Sequence, residues 1–142
     1  MAYCTLADID VPEKDLIELT DDNNVGVVDQ AVIDKAIAAA GELIDGYLRG
    51  RYTLPLDPLP GLLKTLALDI VIYRIYTRRV RLAPPEALTD RYKNSLKLLD
   101  QIATGKISLG TEALNGQDTP ETGGAQSAAP DRVFTRDKLW DY

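Results

Sequence analysis

The chain has 142 residues, enough for one domain with a modest core and no need of disulfide staples. It carries 22 acidic against 16 basic side chains, and the formal charge of −6 opposes nonspecific attraction to nucleic-acid phosphates. Cys4 stands alone, which excludes an intrachain disulfide framework and suits a reducing cytoplasm, while the lack of histidine removes Ser-His-Asp and Cys-His catalysis and most zinc sites from within one chain.

Thr5 is placed to cap a short turn over Leu6 to Ile9, and Pro12 to open a helix that buries Leu16, Ile17 and Leu19. Asp8, Asp10, Glu13, Lys14 and Asp15 interrupt any apolar run here, so no signal peptide is expected. Residues 20–28 have a loop composition, after which Asp29 offers an N-cap to a long helix ending near Arg49. Its apolar face is Ile33, Ile37, Ala40, Ile44, Tyr47 and Leu48, and Gly50 is expected to close it with a positive φ.

Prolines 55, 58 and 60 make Leu54 to Leu59 a stiff, extended connector, and Pro60 opens a third helix predicted to reach about Arg81. Leu63, Leu66, Ile70 and Tyr73 form one stripe, widened by Ala67, Val71 and Ile75, so this helix is predicted to be the most enclosed element. The apolar run from Leu62 to Ile75 contains Lys64, Asp69 and Arg74 and falls short of a bilayer span, so no membrane association is expected. Pro84 and Pro85 then launch a fourth helix carrying Leu88, Tyr92, Leu96, Leu99 and Ile102, ended by Gly105. Ile107 and Leu109 are expected to pack as a short extended arm.

The pattern predicts an all-α domain of four helices over residues 1–110 with an extended C-terminal arm. Residues 111–130, rich in Gly, Pro, Ser and Ala, read as a linker. Residues 131–142 hold the chain's one Phe and one Trp. There Val133, Phe134, Leu139 and Trp140 supply apolar anchors, and Arg132, Arg136 and Lys138 can meet an acidic rim, the composition of a docking peptide for a neighbouring subunit or a larger partner.

Two features invite a chemical reading. Asp69 lies within the apolar stripe of the third helix, where a carboxylate needs a partner, and Arg51, Arg74 or Tyr73 one turn on is expected to form a structural polar lock with it, the alternative being a functional carboxylate. Arg74, Arg78, Arg79 and Arg81 are the densest basic cluster. They are expected to complement the helix dipole and pair with acidic groups of another subunit, the alternative being contact with DNA. Gly46 and Gly50 flank arginines without any phosphate-cradling pattern, and no cofactor box or nucleophile-base pair stands out, so neither a cofactor nor an enzymatic activity is expected.

The order and spacing of several short motifs resemble the Mu-like phage head-tail joining family. They are Met1 to Ile9, Leu19-Thr20-Asp21, Ile44-Asp45-Gly46-Tyr47-Leu48, Arg51-Tyr52-Thr53-Leu54-Pro55-Leu56, Asp69-Ile70, Tyr73, Arg78-Arg79, Arg91-Tyr92, Leu99 and Ala103 to Leu109. The resemblance covers about the first three quarters of the chain. It implies a connector-type fold and a structural virion protein, an adaptor that forms a homo-oligomeric ring, dodecameric in the virion, between the portal protein and a tail-completion or tail-terminator protein. Genomic DNA would pass transiently through the lumen. Assembly would take place in the host cytoplasm and the mature position would be the virion neck. A small phage DNA-binding or regulatory protein using Arg74 to Arg81 is the competing reading.

Overall fold

The computed structural model describes residues 1–79 and 82–111. Among these the protein is all-α, with a single 3-10 turn, Leu6–Asp8, followed by α1 (Glu13–Thr20), α2 (Gln30–Leu48), α3 (Gly61–Thr77) and α4 (Glu86–Ala103). The docking peptide 131–142 and all of the linker but Thr111 lie outside the described residues.

Local chemistry sets most boundaries. The Asp29 carboxylate accepts from the backbone N–H groups of Ala31 and Val32, satisfying donors that have no intrahelical partner at the start of α2. Pro60 and Pro85 stand immediately before α3 and α4, where their missing N–H costs nothing. Gly105, at φ 81°, ends α4. Gly50 does not take a positive φ, contrary to the sequence expectation. Arg51 N and Tyr52 N both donate to Leu48 O at 2.9 Å, so the chain leaves α2 through a tight right-handed turn.

α3 lies between α2 and α4, α2 also touches α4, and α1 packs on α3. The side chains of Ile33, Ile44, Leu48, Leu63, Ile70, Val71, Leu99 and Ile102 are fully enclosed at these contacts. Burial of this kind contributes about 1.5–3 kcal/mol per large aliphatic side chain and is the main force holding the helices together. Tyr73 of α3 stacks on Tyr92 of α4, with ring centroids 4.1 Å apart and planes 7° from parallel.

The N-terminal segment lies over α2. Tyr3 is 2% exposed, and its hydroxyl donates to the carboxylate of Asp45, itself only 8% exposed. The Met1 ammonium lies 2.7 Å from the other oxygen of Asp45. This close approach depends on Gly41, since a Cβ there would sit 2.0 Å from the Met1 carbonyl oxygen. The following turn is tied to α3, as Asp8 accepts from Thr5 N and Thr5 Oγ1 and pairs with Lys64 Nζ at 2.7 Å.

Two glycines on the same helix should therefore respond oppositely to alanine. Gly46 has open space around its Cβ position, so Gly46→Ala should stabilise by roughly 0.5–1 kcal/mol through helix propensity. Gly41→Ala must displace the N-terminal backbone and should destabilise by about 1–3 kcal/mol. Urea denaturation of both variants checks the pair; equal shifts of one sign would contradict the close approach.

Candidate functional site

Two arginines of the basic cluster find partners within the chain. α3 ends at Thr77, short of the expected Arg81, so Arg78 and Arg79 fall in the turn beyond it, beside the C-terminus of α1. Arg78 grips Asp22 with both terminal nitrogens, at 2.6 and 2.7 Å, and also donates to the carbonyls of Leu19 (3.2 Å) and Thr20 (3.3 Å). Arg79 donates to the carbonyl of Asp21 at 2.7 Å and to Asp22 Oδ1 at 3.3 Å. These carbonyls at the end of α1 have no continuing helix to serve, and two guanidinium groups supply their donors. Arg78 and Arg79 thus form a clasp within the chain, on partners that the sequence reading did not name. Arg81 lies outside the described residues.

The loop beyond the clasp is built by its own polar groups. Asp21 accepts from Asn23 N, Val25 N and Gly26 N, and the Gly26 hydrogen bond leads the interactions that hold its carboxyl below the usual carboxylate range. Thr20, fully buried, donates to Leu16 O at 2.7 Å and accepts from Asp29 N at 3.1 Å, which joins the end of α1 to the cap of α2.

Among the described residues Asp69 does not pair with an arginine. Its carboxylate accepts from Ser95 Oγ on α4 at 3.2 Å, and Ser95 is 1% exposed. The lock expected on α3 is a carboxylate-hydroxyl bond between helices, and neither Arg51 nor Arg74 takes part. Arg74 keeps Nε buried without a hydrogen bond among the described residues. Arg51 lies at the other end of the domain, packed so closely on Gly105 that a Cβ there would meet its Nη1 at 1.9 Å. Tyr52 is next to it and 1% exposed; its hydroxyl accepts from Leu109 N at 3.3 Å. The Arg51-Tyr52 pair therefore holds the turn after α4 and the start of the C-terminal arm, where Ile107 and Leu109 pack against the core as expected.

Arg132, Val133, Phe134, Arg136, Leu139 and Trp140, the expected docking residues, lie outside the described residues. Sequence reasoning missed Tyr3 and Asp45. The available signal was a carboxylate at position 45 inside an apolar helical stripe, the same signal that drew attention to Asp69. Among the described residues no group of acidic or cysteine side chains is arranged to hold a metal ion, and no helix is long and apolar enough to cross a membrane.

Every one of these contacts uses residues of the motif pattern. Residues 3–129 match the family model described as "Bacteriophage Mu, Gp36". The chain belongs to this phage Mu protein family. It is 31% identical over 111 residues to "Gene product J" of Escherichia phage Mu, covering 78% of this chain and 76% of that protein. It is 36% identical over 83 residues to "Mu-like prophage FluMu protein gp36" of Haemophilus influenzae (strain ATCC 51907 / DSM 11121 / KW20 / Rd), covering 58% of this chain and 56% of that relative.

The clasp of this Mu Gp36 family member has an acid signature. The hydrogen bond from Arg78 leads the effects that hold the Asp22 carboxyl below its usual range, and Lys64 leads those that hold Asp8 down to about 2. A carboxyl lowered in the folded state stabilises above its unfolded pKa of about 4, and that stabilisation is lost as pH falls through the folded value. Thermal midpoints followed by circular dichroism should fall below about pH 4, and the fall should be shallower in Asp22→Asn. An unchanged pH profile in that variant would show that the clasp contributes nothing to stability.

Proposed function

We propose that this chain is a structural virion protein, a head-tail connector that forms a ring between portal and tail and lines the passage taken by DNA. The observation that carries the reading is how the motif residues of this phage Mu family member are used. They join helix to helix and fix the root of the arm at Tyr52 and Leu109, producing a firm block that a partner or a second copy can stack against. No catalytic step is part of the proposal. Portal, tail-completion protein and further copies of this chain are the partners, with residues 131–142 as the arm that engages a neighbour or the portal, first in the host cytoplasm and then at the virion neck.

The charge distribution favours this reading over a DNA-binding regulator. A regulator using Arg74 to Arg81 would need those cations facing phosphate, yet Arg78 and Arg79 are occupied by Asp22 and by backbone carbonyls. A net charge of −6 suits a channel wall through which DNA must slide without adhering.

The test is the position of the protein in particles made by the phage genome that encodes it. A reconstruction of the neck should show a ring of this domain between portal and tail, and particles lacking the protein should carry heads without joined tails. Finding it only in the capsid shell, or not in the particle, would overturn the connector assignment. A salt-sensitive complex with duplex DNA at moderate ionic strength would instead support the regulator.

A further inference from the structure

α2 packs on α3 and α4 with one side and is crossed by the N-terminal segment on a second, and its remaining side is open among the described residues. Ala31, Lys35, Ala38, Glu42 and Gly46 follow one another at three- and four-residue spacing along that side, and all five are exposed. Beside them runs an open groove of about 410 Å3, to which Met1, Ala2, Ile37 and Ala38 supply apolar lining. Met1 itself is left 38% exposed.

The charges on this face read the same in both directions once their signs are exchanged. Lys35 and Glu42 stand equally far on either side of the midpoint between Ala38 and Ala39, and neither has an ion pair or side-chain hydrogen bond among the described residues. A second copy laid antiparallel on this face, about a two-fold axis through that midpoint, sets each Lys35 opposite the Glu42 of the other copy, so one complementary pair becomes two by symmetry. A parallel pairing in register would instead set Lys35 on Lys35 and Glu42 on Glu42. The small side chain of Ala38 lets two helix axes come close at the crossing. The other charges of the face fit the same arrangement. Arg49 falls opposite the start of the second α2, where Asp29 supplies the capping carboxylate, and Asp34 lies on the flank beside the groove, where Gln30 Nε2 donates to it at 2.9 Å.

We propose that the free protein forms a two-fold dimer in which the open faces of two antiparallel α2 helices pack together, Lys35 of each copy against Glu42 of the other. Such a contact is isologous and closes on itself, so it is a property of the free chain and not the repeating contact of a ring. It stands apart from the connector reading for that reason. One helix of 19 residues gives a seam about 28 Å long, and without large aromatic anchors the expected dissociation constant is roughly micromolar.

Sedimentation equilibrium of the full-length protein should show a reversible monomer-dimer equilibrium in that range. Lys35→Glu and Glu42→Lys should each weaken the dimer by about tenfold or more, because each sets like charges at both pairs, although the first makes the chain more acidic and the second less so. Mixing the two single variants should restore association, since the mixed dimer regains opposite charges at both pairs, and the double swap should restore it within one chain. Ala38→Arg should abolish the dimer, with the helical circular-dichroism signal unchanged in every variant. A chain that stays monomeric at high concentration overturns the proposal, as do oligomers larger than a dimer. So does a dimer that either single swap leaves intact, or a loss that follows net charge and is not rescued by mixing. None of these results touches the connector reading, which stands or falls on the position of the protein in particles.

Discussion

A buried carboxylate decides how the ends of this domain are arranged. Asp45 sits on the apolar face of α2, between Ile44 and the Tyr47-Leu48 pair, where an unpaired charge would cost several kcal/mol. It is tolerated because the Met1 ammonium pairs with one carboxylate oxygen and the hydroxyl of Tyr3 donates to the other, and that requirement brings a segment without helical periodicity across the helix. Burial raises the Tyr3 hydroxyl's pKa, and its hydrogen bond to Asp45 adds to the effect, so the phenol stays the donor and the carboxylate the acceptor. Gly41 leaves room for the crossing, and Lys64 fastens the turn beyond it to α3 through Asp8.

The same logic recurs just beyond the C-terminal end of α2. Arg51 on Gly105 and Tyr52 under Leu109 bring the end of α4 back to the end of α2, so the helix that carries Asp45 organises both the entry and the exit of the chain. The clasp of Arg78 and Arg79 on Asp22 does for α1 what Asp45 does for the N-terminal segment. The motifs that mark the family are thus contacts between elements.

The helices were legible in the sequence because their signals are local. Asp29 as a cap, Pro60 and Pro85 as openers and Gly105 as a terminator act within one turn of where they stand, and the apolar stripes of the second and third helices correspond to the observed core. Partners of charged groups were less legible, because periodicity says which face a residue occupies and not what lies across from it. Asp69 faces α4, where the nearest donor is the small Ser95, and no pattern in that helix distinguishes a buried serine from an exposed one. The in-chain partners of the arginines are hidden from the sequence for a related reason. Continuing α3 to Arg81 spreads them around a helical end, whereas stopping at Thr77 swings two of them onto α1. Tyr3 lay in a segment with no period at all, so only the carboxylate waiting for it at position 45 hinted at its place.

The account rests on the coupling between Tyr3 and Asp45, and a double-mutant cycle measures it directly. Tyr3→Phe, Asp45→Asn and the double variant, compared by urea denaturation, should show an interaction of about 1.5–3 kcal/mol, the range for a hydrogen bond to a charged group, with the double variant less destabilised than the sum of the two single ones. Additive effects, within the few tenths of a kcal/mol expected of independent sites, would contradict the central place given to this pair.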